Sequence, residues 1–303
     1  MGPTSPTRRL ANPHRPRTGA RRRTIHSPFV PALLHGRDLG QQLSQIAPMQ
    51  TGDVSRATYD LGVNRIVIIM ALAAEAAPVI AELGAIPVAG TSPLPFQFFE
   101  ATRSGCHIVV SVNGQHPRHG VCSIGTDAAS LNTYVTIDRF KPDLVISAGT
   151  AGAWARNGSQ IGDVYVSDDR FVFHDRRIAL DSFSEYGVGS YPAAKARRLA
   201  EALGLKTGVV TTSNSLDEND DDRAMIARSH ACVKDMEAAA VAYVGEMMDT
   251  PVIALKAITD LVDHETPTAE QFTANLALAS RLVGEKLLAV IDFCAARSLA
   301  DLA

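Results

Sequence analysis

Apolar and polar positions alternate along this chain in two periods. Short runs rich in β-branched residues, bounded by Gly, Pro or Asp, read as buried strands over Arg65–Ala71, His107–Val112, Leu144–Ala148, Asp163–Val166, Gly208–Thr212 and Val252–Thr259. Between them, a helical period predicts helices over Ala74–Leu83, Gly125–Phe140, Ala193–Leu203, Asp220–His230, Met236–Met248 and Thr268–Ala296. In the last of these, Phe272, Leu276, Leu282 and Ile291 fall near one side. Strands alternating with helices predict an α/β domain with a largely parallel sheet covered on both faces. The nearly continuous apolar run from Ile66 to Ala89 is interrupted by Glu75, Pro78 and Glu82. A carboxylate deep in a bilayer costs a few kcal/mol, so a strand turning into a helix is predicted there, and no transmembrane segment.

The first sixty residues lack either period and are rich in Arg, Pro, Ser, Thr and Gly. Residues 1–37 hold eight Arg (Arg8, Arg9, Arg15, Arg17, Arg21, Arg22, Arg23 and Arg37), no Lys and no acid. That segment carries +8, so against a chain total of -3 the remainder carries -11. Residues 1–60 therefore read as a disordered basic extension ahead of a domain over 61–303. An Arg-rich, acid-poor, hydroxyl-rich start fits a plastid or mitochondrial transit peptide as well as a plain basic tail. The acidic body argues against nucleic acid as a partner. With 46% hydrophobic and 20% charged residues in 303, the chain is neither wholly disordered nor a disulfide-stapled miniprotein. Cys106, Cys122, Cys232 and Cys294 lack C-x-x-C or zinc-finger spacing and read as reduced, mostly buried thiols.

In α/β folds a site lies beyond the carboxyl ends of strands. Three carboxylates stand at such junctions: Glu75 after the first strand, Asp260 after the last, and Glu237 at the helix entered through Lys234-Asp235-Met236. Each has a plain structural alternative, as a helix-start acid or a turn cap. Together, in half-apolar surroundings, they supply the acid and base that cleavage of a glycosidic bond requires. The Gly-rich turn Ala148–Ala153 would let backbone approach a ligand closely, and it carries neither a P-loop nor a dinucleotide fingerprint. His116 and His119 sit in a Gly/Pro loop without ligand geometry, and Asp217–Asp222 lacks the glycine and closing Glu of a calcium loop. Trp154 reads as a packing residue.

Six blocks together carry a resemblance: IIMALAAEAAPVI, FKPDLVISAGTAGA, IGDVYVSDDRFVFHDRRI, the SLD around Leu216, VKDMEAAAVAYV and LKAITDLVDHETPTAEQF. Over about Arg65 to Leu302 the chain resembles the nucleoside phosphorylase/nucleosidase superfamily, most closely plant-type 5'-methylthioadenosine nucleosidases. The resemblance implies a single three-layer α/β/α domain with a twisted mixed sheet, a homodimer, no cofactor and no metal. It implies a cytoplasmic enzyme that hydrolyses 5'-methylthioadenosine to adenine and 5-methylthioribose in methionine salvage.

By position, the resemblance makes Glu75 the group that activates water and Asp260 the acid that protonates adenine at N7. It makes Glu237 the ligand of the ribose hydroxyls, with Met236 packed on the sugar and Thr150 near ribose and water. Leu216 falls in the stretch covering the adenine. Phe173 and His174 match a block near the 5'-substituent pocket and the subunit interface. A phosphorylase needs a fixed cation for phosphate. The strand before the Gly-rich turn has none, although Arg118 lies in a nearby loop. Hydrolysis is therefore expected, with a purine nucleoside phosphorylase or a non-catalytic nucleoside-binding or storage relative as alternatives. Two departures from the family pattern, Ala153 for a second glycine and Asn214 for Asp, bear on base specificity.

Overall fold

The computed structural model describes residues 62–89 and 93–303. The expectations for the N-terminal extension, its disorder and its targeting, lie outside the described residues. Within them one mixed sheet of ten strands is found. β1 (Arg65–Met70) pairs in parallel with β4 (Cys106–Val112) on one side and β5 (Leu144–Ala153) on the other. Beyond β4 an antiparallel arm adds β3 (Gln97–Arg103) and β2 (Ile86–Val88). On its other side β5 pairs in parallel with β10 (Val252–Leu261), which runs antiparallel to β6 (Val164–Phe173). β6 pairs with β8 (Lys206–Thr212), β8 with β9 (Ala231–Asp235), and β9 returns antiparallel to the end of β5. Five strands thus close on each other while β1 to β4 extend as an open arm. The short β7 (Tyr191–Pro192) pairs with β6.

Strand alternation sends side chains to two cores. On one face Ile66, Ile68 and Met70 of β1 join Ile253 and Leu255 of β10. They pack under α1 (Ala73–Leu83), α4 (Arg197–Leu203) and α7 (Thr268–Cys294). On the other face Val67, Ile69, Val145 and Ala254 meet α2 (Thr126–Phe140) and α6 (Ala238–Met247). The result is the expected three layers, and the apolar run from Ile66 is a strand turning into a helix. No helix among the described residues is long and apolar enough to cross a membrane.

The sheet is mixed, as the resemblance implies, rather than largely parallel as simple alternation predicts. β3 carries Glu100 and Arg103 and is only partly buried, so its sequence reads as a loop. β9 ends on Lys234 and Asp235, both buried, and charge hides a central strand. The predicted helix at Met236 begins at Ala238. The Ala148–Ala153 segment is the second half of β5 rather than a turn, and Asp260 lies within β10 rather than after it. α3 (Phe183–Val188) was not predicted, and α5 (Asp220–Ser229) starts with a capping box between Asn219 and Asp222. Trp154 packs at 1% exposure with Ile226 and Ala231. The four cysteines are unpaired, with Cys106 and Cys294 buried and the other two partly so.

Leu255 is fully buried on the face away from α2 and α6. Leu255→Ala is expected to cost about 2–5 kcal/mol, read as a lower urea midpoint at unchanged slope. A midpoint equal to wild type would show that this core is not packed as described.

Candidate active site

The carboxyl ends of β1, β5, β9 and β10 surround a cavity of about 240 Å³. Of the residues singled out from sequence, Glu75, Thr150, Leu216, Met236, Glu237 and Asp260 all line it. Phe173 does not. It sits in the core, its ring edge-on to Tyr191 and covered by the Arg176 guanidinium.

Glu75 enters in the first turn of α1, placed by the tight β1–α1 connection. It is 3% exposed. Its Oε1 accepts the Thr150 backbone N–H at 2.9 Å and the Thr150 hydroxyl at 2.5 Å. The approach demands glycine next door: a Cβ on Gly149 would lie 2.9 Å from Glu75 Oε2. Burial pushes the Glu75 carboxyl up, against the opposing pull of the Thr150 bonds and the Lys256 charge.

Glu237 follows β9 and is joined by the Gly125 N–H, which donates to its Oε1 at 2.9 Å. Beneath it lies a buried ion pair. Lys256 Nζ donates to Asp235 Oδ2 at 2.8 Å, with side chains 3% and 0% exposed. Asp235 also accepts from the Thr212 hydroxyl and the Ala238 N–H. Burial pulls the Lys256 ammonium down, but the charges of Asp235, Glu237 and Glu75 outweigh it and raise it above its ordinary value. Burial, and then the negative charge of Asp235, push Glu237 up to about 7, against Lys256 and the Gly125 N–H.

Asp260 owes its aim to a bulge. Register with β5 slips between Ile258 and Asp260, leaving Thr259 as the extra residue. The Thr259 hydroxyl donates to Asp260 Oδ1 at 2.7 Å. Gly152 faces the other oxygen, where a Cβ would stand 2.5 Å from Oδ2. Burial raises the Asp260 carboxyl, opposed by Thr259 and by the charge of Lys234. Lys234 Nζ donates to the Leu216 carbonyl at 2.9 Å and lies 3.5 Å from Glu218, pinning the Ser213–Asn219 loop against the cavity.

Sequence reasoning assigned no chemistry to Lys256, Asp235, Lys234 or Gly125. A signal existed for the first: a lysine inside the apolar strand V-I-A-L-K-A-I-T needs a partner to be buried. Arg118 is outside the cavity wall, where its Nε meets His119 Nε2 at 3.1 Å. His116 and His119 stack at 4.7 Å. His174 is buried with Nδ1 on Thr211, and burial and Lys234 lower it to about 4. Among the described residues no group of three or more His, Cys, Asp or Glu is placed to hold a metal ion.

Residues 65–292 match the sequence profile of the phosphorylase superfamily. The chain belongs to that superfamily. It is 39% identical over 244 residues to a 5'-methylthioadenosine nucleosidase of Arabidopsis thaliana, covering 79% of this chain and 91% of the relative. It is equally 39% identical to a 5'-methylthioadenosine/S-adenosylhomocysteine nucleosidase of the same plant, covering 79% and 95%. The apo structure of Arabidopsis thaliana 5'-methylthioadenosine nucleosidase is similar with a TM-score of 0.77 at 38% identity, covering 79% of this chain and 99% of that one.

Within the superfamily pattern, both departures stand outside the cavity wall. Ala153 is fully buried in the core, and Asn214 spends its side chain on Thr126.

Lys256→Met leaves Asp235 buried without its cation, and this phosphorylase-superfamily chain is then expected to lose about 3–5 kcal/mol of stability in urea unfolding. An unchanged midpoint would mean that the pair does not hold the site together.

Proposed function

We propose that this chain is an N-glycosyl hydrolase that cleaves 5'-methylthioadenosine to adenine and 5-methylthioribose. One observation carries the reading: Glu75 and Asp260, both buried, and the partly buried Glu237 share one cavity whose two lysines are already engaged. The names of the relatives at 39% identity agree with it.

In this reading Asp260 donates its proton to N7, so the bond electrons of C1'–N9 leave on a neutral base. The burial that raises Asp260 keeps the proton available, and Lys234 tempers that rise. Glu237 binds the ribose hydroxyls and, once ionised, faces the positive charge that develops on the sugar. It stabilises the transition state more than the ground state. Met236 packs on the sugar and Leu216 covers the base. Glu75, held by both donors of Thr150, takes a proton from the water that attacks C1'.

Phosphorolysis would need a cation free to bind phosphate. Lys256 is committed to Asp235, Lys234 to Leu216 and Glu218, and Arg118 is outside the wall. The chain works as a homodimer: Val121, Ile124, Leu131 and Tyr134 expose half or more of their surface on and before α2, an apolar face fit for a second copy. A role in methionine salvage goes with this reading, through the 5-methylthioribose it would release.

The full-length chain is expected to release adenine from 5'-methylthioadenosine at the same rate with and without phosphate. Asp260→Asn and Glu75→Gln should each lower kcat by roughly 10²–10⁴-fold. Release only with phosphate would replace the hydrolase by a phosphorylase, and an active Asp260→Asn would remove the acid from Asp260.

A further inference from the structure

Helix α2 starts with no cap of its own. Its N-cap residue is Gly125, at φ +91°, which has no side chain to offer the first N–H groups. The missing cap comes from far along the chain. Asn214 Oδ1 accepts the Thr126 N–H at 2.8 Å and the Thr126 hydroxyl at 3.0 Å, and its Nδ2 returns to the Thr126 hydroxyl at 2.9 Å. Asn214 is itself fixed, its N–H donating to Asp175 Oδ2 at 2.9 Å. With Thr126 satisfied, the neighbouring Gly125 N–H is free to reach Glu237 Oε1. The fit is tight: a Cβ on Gly125 would lie 2.8 Å from Asn214 Oδ1.

The geometry points to Asn214 as a positioning residue: it caps α2 in place of Gly125 and thereby aims the Gly125 N–H at Glu237, linking the base-covering loop to the sugar-binding carboxylate. This role rests on the reading of Glu237 as the ligand of the ribose hydroxyls. Asn214 does not line the cavity, so it acts through the α2 start and not on substrate. Four groups bear on Glu237: the Gly125 N–H from α2, Asp235 from β9, Lys256 from β10 and Glu75 from α1. Of these, the Gly125 N–H and Lys256 favour its ionised form. A neutral cap suits this place, because a carboxylate at 214 would add a third negative charge to the side that opposes Glu237.

The test compares wild type, Asn214→Ala and Asn214→Asp as full-length chains, with kcat and KM for adenine release from 5'-methylthioadenosine measured across pH. Asn214→Ala lets the Gly125 N–H drift and should lower kcat/KM about tenfold near neutral pH, the size of one hydrogen bond to a charged group. It should also move the acid limb of kcat/KM to higher pH, since Glu237 loses a donor that favours its charge. Asn214→Asp keeps both acceptor bonds to Thr126. Its plateau kcat/KM should stay within about threefold of wild type, as expected when the hydrogen bonds are retained. Its acid limb should also move up, through added charge. A loss of kcat/KM equal at every pH, with the limb unmoved, would mark Asn214 as merely structural and overturn the assignment. So would two variants that match wild type. If Asn214→Ala does not fold, Asn214→Ser, whose shorter side chain also withdraws the acceptor from Thr126, takes its place: a displaced limb supports the role, an unmoved one overturns it. A wild-type chain that releases no adenine would fail the hydrolase reading itself, and the role of Asn214 with it.

Discussion

The site depends on one ion pair in the middle of the sheet. Lys256 and Asp235 meet at 2.8 Å with no measurable access to water for the acid. Taking two charges out of water costs several kcal/mol each, and mutual attraction alone returns only part of it. Here the remainder comes from neighbours. Asp235 is held by the Thr212 hydroxyl and the Ala238 N–H, while Glu237 and Glu75 add their fields to Lys256. The pair ties β10 to β9, which are not neighbours in the sheet, and so fixes the two strands that carry Asp260 and lead into Glu237. The arrangement is dear in desolvation, and it holds fixed charges of both signs beside the cavity.

Around that pair the backbone is fitted to the acids. Gly149 and Gly152 lie three residues apart in β5 and so on opposite faces of it, one against Glu75 and one against Asp260, and neither position has room for a methyl group. The β-bulge at Thr259 turns Asp260 inward and supplies its hydrogen bond in the same stroke. Two lysines divide the labour. Lys256 favours charge on Glu75 and Glu237, and Lys234 restrains the rise of Asp260 while pinning the Leu216 carbonyl. Acids of one type are thereby set in different surroundings, which is the requirement for opposite proton roles in one cavity.

Much of this was legible in the sequence. The β-branched runs located most of the sheet interior, and the carboxylates singled out near strand ends, each with a structural alternative of its own, share one cavity. Of the eight residues the resemblance points to, six line the cavity; Phe173 went to the core because it alternates inward on β6, and His174 is buried beside it with Nδ1 on Thr211. What stayed hidden was hidden by charge or by distance. β9 carries Lys234 and Asp235, so its period looks like a helix entry, and only their mutual compensation with β10 and the Leu216 carbonyl lets them be buried. Asn214 and Thr126 are 88 residues apart, and no local pattern announces a cap supplied across that span. The Gly-rich segment read as a turn because glycine is disfavoured in strands; here it serves close approach within one.

Proton donation by Asp260 requires its carboxyl to be protonated near neutral pH, and burial pushes it in that direction. Infrared spectroscopy of the carboxylic acid C=O stretch, wild type minus Asp260→Asn, tests it most directly. Wild type is expected to show a protonated carboxyl band at neutral pH that is absent from Asp260→Asn. No difference in the protonated-carboxyl region, with loss of a carboxylate band instead, would show Asp260 already ionised and would contradict its role as the acid.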